Sequence, residues 1–197
     1  MIVLVRDPRA VFSSRWSGRI AEWCRNDHCS DPATACGDLM EDVEAARRLT
    51  AELPGKVRLV RYEDLSLNTL DTAKEMFRFL QLPWHSSVRN YILSHTRPAR
   101  PHPSHTVFSH NRKERKIRTK SSTKALNSAT DPYGTIRNST ATVMSWVSTL
   151  SSSSVSHVQD SCSAPMSALG YKPVNITKNK SLQLADILVT GDKWRLE

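Results

Sequence analysis

Two short apolar runs, each ending in a charged corner, constrain this chain more than any other feature. Ile2 to Val5 is uncharged and largely β-branched, and Arg6-Asp7-Pro8 follows at once. Such a run reads as a buried strand. Asp7 is a good helix N-cap. Pro8 falls at the first helical position, where its missing N–H costs nothing. The helix begun there is expected to reach about Trp23, with Val11, Phe12 and Trp16 on its apolar face. The second run, KVRLVRY at residues 56–62, is expected as a second strand. Between the two lies the best helical pattern in the chain, residues 36–53. Its Leu39, Val43, Ala46 and Leu49 recur at three- and four-residue steps, and Pro54-Gly55 ends it. A strand–helix–strand crossover makes the two strands parallel members of one sheet, adjacent or not. The fold class is therefore α/β.

Further helices are expected at residues 68–82, capped by Asn68 with Asp71 in the first turn, and from about Ser86 to His95. Ser139 to Leu150 is another. A last one spans residues 151–171, kinked by Pro165 and closed by Gly170. Residues 24–35 read as a polar loop. Residues 97–130 hold three Pro and three His and have no apolar periodicity. They also carry a basic run of Arg112, Lys113, Arg115, Lys116, Arg118, Lys120 and Lys124. This stretch is expected to be an exposed loop or a disordered insert. The chain then divides into a domain at residues 1–177 and a tail at 178–197.

The net charge of +9 favours an anionic partner: a nucleotide, a sulfated glycan, nucleic acid or an acidic membrane face. No apolar stretch approaches a membrane span, and Ile2 to Val5 is too short for the core of a secretion signal. Three N-glycosylation sequons stand at Asn138, Asn175 and Asn179. The cysteines Cys24, Cys29, Cys36 and Cys162 fit no common zinc spacing, and disulfides among them require an oxidising compartment.

Ligands of parallel α/β sheets collect at the carboxyl ends of the strands, where Arg6 stands. Ser14 lies eight residues on, two turns into the helix. A guanidinium fork with one hydroxyl donor can grip a terminal phosphate. The competing reading is an internal ion pair, with Asp7 the nearest carboxylate. The RYEDL stretch at residues 61–65 also has two readings. Glu63 and Asp64 either cap the next turn and pair with Arg58 or Arg61, or they face an acceptor.

LVRDPRAVFSSRW at residues 4–16 resembles the 3′-phosphate-binding motif of Golgi carbohydrate sulfotransferases, in particular the group that sulfates the 6-hydroxyl of galactose, N-acetylglucosamine or N-acetylgalactosamine. The resemblance continues through VRLVRYEDLSLNTLDTAKEMFRFLQLPW and resumes at DPYGTIRNST, at Trp146 and at CSAPMSALGYKPV. It implies a three-layer, P-loop-like α/β fold around a parallel sheet. It implies 3′-phosphoadenosine 5′-phosphosulfate as co-substrate with no metal, and transfer of the sulfuryl group to a glycan on a glycoprotein or glycosaminoglycan in the Golgi lumen or membrane. No nucleic-acid partner is expected. Arg6 and Ser14 would hold the 3′-phosphate, and Arg137 would contact the cofactor or acceptor. Cys36 and Cys162 fall in matching blocks and could pair, and Cys24 and Cys29 could close a small loop.

The Arg-, Ser- and Gly-rich loop that cradles the 5′-phosphosulfate in such proteins is not found in this sequence, nor is a membrane anchor. The expectation is therefore an N-terminally truncated, poorly folded and inactive portion of such an enzyme. The rival reading is a non-catalytic polyanion binder, for heparin or nucleic acid, using residues 112–124.

Overall fold

A computed structural model describes residues 1–18, 20–96, 136–176 and 182–190. Strand β1 is Ile2–Val5 and strand β2 is Arg58–Arg61. They pair directly and in parallel, Ile2 opposite Arg58 and Val5 opposite Arg61, and form the sheet seen among the described residues. The expected crossover thus joins adjacent strands. Residues 97–130, the expected insert, lie outside the described residues.

The corner after β1 forms as its residue types dictate. Helix α1 (Pro8–Arg15) has Asp7 as N-cap, its carboxylate accepting from the Arg9 N–H at 2.9 Å. It stops at Trp16, well before Trp23, because the chain turns through Gly18 at φ +54°. Positive φ is open to glycine and strained for other residues. Ile20–Trp23 is a separate turn of helix, α2, with Trp23 60% exposed.

Residues 24–35 are not the loop their polarity suggested. They contain α3 (Asp27–Ser30) and the start of α4 (Pro32–Glu52), four residues earlier than expected. The reason is a second Asp-Pro corner: Asp31 caps α4 by accepting from the Thr34 N–H at 2.8 Å, and Pro32 sits at the first helical position. Helix α5 (Tyr62–Leu67) follows β2 with no intervening loop, and α6 (Thr69–Phe79) comes after it. Asn68 stands at the α6 N-cap position, but its side chain makes no capping bond. Helix α7 is Ser86–Thr96.

Beyond the undescribed stretch, the helix expected from Ser139 is two short pieces, α8 (Ser139–Val143) and α9 (Ser145–Thr149), broken at Met144. The next one also divides. Helix α10 (Ser152–Ser161) and α11 (Ser163–Ala168) meet at Cys162, so Pro165 falls in the first turn of a new helix rather than kinking one. Within the expected tail, Leu184–Ile187 forms a last turn, α12. Its Ile187 and the following Leu188 are buried, and Leu188 bridges to Tyr171. The spacing of Leu184, Ile187 and Leu188 puts three apolar residues on one side of that turn.

Val5, Phe12, Val43, Leu59, Trp146, Val155, Val158, Met166, Leu169, Tyr171, Ile187 and Leu188 belong to a single apolar cluster. Helix α4 packs on α10 and α11, and α1 packs on α9 and α10. No helix among the described residues is long and apolar enough to cross a membrane.

Both disulfides that the sequence left open are formed, Cys24–Cys29 and Cys36–Cys162. The second lies wholly in the core and fastens α4 to the α10–α11 junction across 126 residues of chain. A cross-link stabilises mainly by limiting the unfolded chain, and more so for a longer loop. Replacing Cys36 and Cys162 by Ser is expected to cost about 2–5 kcal/mol. Replacing Cys24 and Cys29, only five residues apart, should cost clearly less. Urea denaturation of the two double variants checks this, and an equal or reversed order would contradict it.

Candidate functional site

The carboxyl ends of β1 and β2 meet in a buried network of charges. Asp7 and Arg9, both wholly buried, form an ion pair with Nη2 to Oδ2 at 2.8 Å and Nε to Oδ1 at 3.0 Å. Arg9 Nη1 donates to Gln159 Oε1 at 3.0 Å and to the Lys172 carbonyl at 2.9 Å. Its guanidinium lies 4.4 Å over the Trp146 ring. Two ions taken out of water need such satisfied geometry to be tolerated. The same residues tie the first turn of α1 to α10 and to the segment after α11.

Glu63, the second residue of α5, joins the network from β2. Its carboxylate accepts from the Asp7 N–H at 3.1 Å and from the Tyr171 hydroxyl at 2.8 Å. Burial pushes the Glu63 carboxyl up from its ordinary value, against the downward pull of the Asp7 N–H. Burial also drives the Tyr171 phenol well up, and the Glu63 charge adds to this. Asp64 takes the other course and pairs with Arg61, Nε to Oδ2 at 2.9 Å. Arg58 pairs instead with Glu75. The two carboxylates of RYEDL thus part company: Asp64 makes the structural pair, and Glu63 locks the corner.

Arg6 is left outside these pairs. Asp7, its neighbour, is taken by Arg9, and the ion pairs among the described residues do not include Arg6. Its guanidinium stacks 4.4 Å above the Tyr62 ring, and its buried Nε has no hydrogen-bond partner. A buried donor without an acceptor costs about 1–3 kcal/mol. Arg6 is therefore a positioned cation with binding capacity to spare.

Arg6 lines a cleft of about 320 Å³ along β1, together with Leu4, Pro8, Arg15 and the polar trio His28, Asp38 and Asp42. Asp38 holds His28 through a 2.6 Å contact and raises the imidazole above the ordinary histidine value, chiefly through that hydrogen bond. Tyr62 lines a second, mostly apolar cleft of about 410 Å³ with Leu65, Met76, Phe77, Ile92 and Arg137. The Tyr62 hydroxyl meets Thr142 Oγ1 at 2.9 Å, and the Arg137 N–H donates to the His95 carbonyl at 2.9 Å.

Of the three residues proposed from sequence, Arg6 and Arg137 are linked through Tyr62, which one touches and whose cleft the other lines. Ser14 is half-buried two turns up α1 and lines neither cleft. Sequence reading missed Arg9, Gln159, Tyr62 and Tyr171. Gln159 did leave a signal, since it is polar and follows Val158 directly on the buried stripe of α10.

The sulfotransferase domain family matches residues 1–170. Carbohydrate sulfotransferase 1 of Mus musculus is 29% identical over 202 residues, which is 94% of this chain and 43% of that protein. Its counterpart in Danio rerio is 31% identical over 204 residues, 94% of this chain and 42% of that protein. Carbohydrate sulfotransferase 3 of Homo sapiens is 33% identical over 113 residues, half of this chain and 24% of that protein. The chain thus spans less than half the length of these curated relatives. No solved structure matches it. With a match running from the first strand through the corner, the crossover and α11, the chain belongs to the sulfotransferase family, and the relatives it resembles there are carbohydrate sulfotransferases.

Proposed function

We propose that this protein acts in carbohydrate sulfation, moving a sulfuryl group from 3′-phosphoadenosine 5′-phosphosulfate to a sugar hydroxyl, the 6-hydroxyl of galactose, N-acetylglucosamine or N-acetylgalactosamine. The observation that carries this reading is Arg6, a fixed cation at the carboxyl end of β1 with a buried, unpartnered donor. That is what a nucleotide phosphate would satisfy, and charge-assisted hydrogen bonds of this kind are stronger than neutral ones. The donor, when bound, supplies an activated sulfuryl group on a phosphate oxygen.

The chain's own part is to bind and orient. Arg6 would hold the 3′-phosphate, and the stack on Tyr62 fixes the direction of its fork. Ser14 is the proposed second donor, its hydroxyl free of hydrogen bonds among the described residues. The apolar cleft beyond Tyr62 falls in the size range of small-molecule sites and has room for a nucleoside. Arg137 on its wall would counter remaining negative charge. The network of Asp7, Arg9 and Glu63 is a positioning device for Arg6 and takes no part in the chemistry. The Golgi lumen is the proposed compartment, and two formed disulfides support an oxidising one.

Calorimetry with adenosine 3′,5′-bisphosphate tests the assignment. One charge-assisted hydrogen bond contributes roughly 1.5–3 kcal/mol, so Arg6→Ala is expected to weaken binding about 10- to 100-fold. Ser14→Ala removes a hydroxyl donor to the same charged acceptor and should weaken it by roughly 10-fold. Affinity unchanged in Arg6→Ala would reject the reading. Asp7→Ala strands the Arg9 charge in the core, and losing one partner of a buried pair costs about 3–5 kcal/mol. That variant should therefore lose stability in urea denaturation, whereas Arg6→Ala should keep it. Equal stability losses would make Arg6 a structural residue.

A further inference from the structure

We infer that a second pocket, between α6 and the turn that leads into α7, binds an anionic sugar ring, one that carries a sulfate or a carboxylate. The pocket holds about 310 Å³, at the lower end of small-molecule sites, and is lined by Lys74, Phe77, Arg78, Leu82 and Trp84. It shares Phe77 with the apolar cleft beside Tyr62 but contains none of Arg6, Ser14 or Arg137. The inference therefore does not rest on the sulfuryl-transfer reading.

The end of α6 builds this pocket. Lys74 and Arg78 are four residues apart, which makes them neighbours on one face of the helix. The helix closes with the Leu80 N–H donating to the Met76 carbonyl at 3.0 Å, and the Leu82 N–H then donates back to the Phe77 carbonyl at 2.9 Å. Between them Gln81 takes φ +57°, a conformation ordinarily left to glycine at the end of a helix. The turn folds the chain back onto α6. Trp84 meets Phe77 edge to face, with ring centroids 5.1 Å apart and planes at 86°. Contacts of this geometry are favoured between aromatic rings and hold the indole in place. The indole is half-buried, and Leu82 beside it is 50% exposed. An apolar wall thus stands open to solvent next to two cations.

The charges around the pocket favour an anion. Arg78 enters none of the ion pairs among the described residues. Lys74 reaches Asp71 at 3.7 Å, and both side chains are exposed. Such a surface pair contributes little and is readily exchanged for a ligand. The remaining carboxylate on this helix, Glu75, is held by Arg58. From Met76 through Thr96 the sequence has no Asp or Glu, while it carries Arg78, Arg89 and two histidines. Neither the turn nor α7 brings a negative charge to the pocket.

The lining also selects among anions. It asks for a flat apolar face joined to an ionised group. A pyranose lays its C–H face against the indole and Leu82, and a sulfate or carboxylate on the ring takes charge-assisted hydrogen bonds from Lys74 and Arg78. Its hydroxyls accept as well as donate, so they suit a wall of donors. A nucleobase suits it less, because none of the five lining side chains accepts a hydrogen bond and an exocyclic amine would go unpaired. A phosphorylated peptide would use the cations and leave the indole wall uncovered.

The test titrates the full chain with a chondroitin 6-sulfate tetrasaccharide, and in parallel with a neutral N-acetyllactosamine tetrasaccharide. The chain has five tryptophans, and the indole N–H signal lost in Trp84→Phe identifies that of Trp84 in heteronuclear NMR. The sulfated sugar is expected to move this signal, with an affinity that falls as sodium chloride is raised, and the neutral sugar to bind clearly more weakly. The double variant Lys74→Ala/Arg78→Ala changes only exposed positions and should weaken the sulfated sugar about 10-fold or more, with the parent's affinity for adenosine 3′,5′-bisphosphate kept. The readout needs no nucleotide, so failure here leaves the Arg6 assignment standing, and failure of that assignment leaves this site standing. A Trp84 signal that stays still, or an unchanged affinity in the double variant, would overturn the inference and put the sugar elsewhere, residues 112–124 included. Tighter binding of a phosphoserine peptide or a mononucleotide at the same signal would overturn the assignment to a sugar.

Discussion

The rest of the structure depends on how Asp7 is used. One carboxylate caps α1, neutralises the buried Arg9 and so joins the first helix to α10 and to the segment after α11. Its backbone N–H meanwhile donates to Glu63 and couples the ends of the two strands. Being spent on Arg9, this carboxylate is not available to Arg6. Had the order of the two arginines' partners been reversed, the cation at the strand end would be internally neutralised and would have little reason to attract a phosphate. The arrangement therefore converts an ordinary strand-to-helix corner into one with a single unsatisfied positive group.

That asymmetry explains how much was legible in the sequence. Asp7-Pro8 could be read directly, because N-cap and first-turn preferences are local and the two residues suffice to express them. The parallel pairing followed from the crossover, since a chain that leaves one strand through a long helix returns in the same direction. The same local logic applied to Asp31-Pro32 would have placed the start of α4 correctly. It was obscured because the flanking residues are polar and α3 is too short to show a period. The breaks at Met144 and Cys162 had no comparable local sign. The serine-rich sequence around them gives little apolar pattern to betray the change.

The buried network was harder still to foresee, for a physical reason. Arg9 finds its partners at separations of two, 150 and 163 residues, and Tyr171 finds Glu63 across 108. Hydrogen bonds over such distances are products of the tertiary fold and leave no periodic trace. Charged residues beside a cap are ordinarily solvated, and nothing in RDPR says which arginine turns inward. Glu63 and Asp64 show the same point in miniature. They are adjacent and chemically alike, yet one is wholly buried and the other partly exposed, because successive positions on α5 face different surroundings.

Tyr62 brings these threads together. Its position is set by β2 and by the immediate onset of α5, and its hydroxyl is held by Thr142 of α8, so both ends of the ring are fixed by separate elements. A cation stacked on a ring held in this way loses little further freedom when it binds an anion. The ring also forms part of the apolar cleft that Arg137 lines. A ligand with a phosphate at one end and a flat apolar body at the other could engage Arg6 and the cleft with Tyr62 between them. Such a bipartite ligand gains specificity from the fixed spacing of the two parts, because a bare phosphate would forgo the cleft and an uncharged aromatic would leave the Arg6 donor unsatisfied.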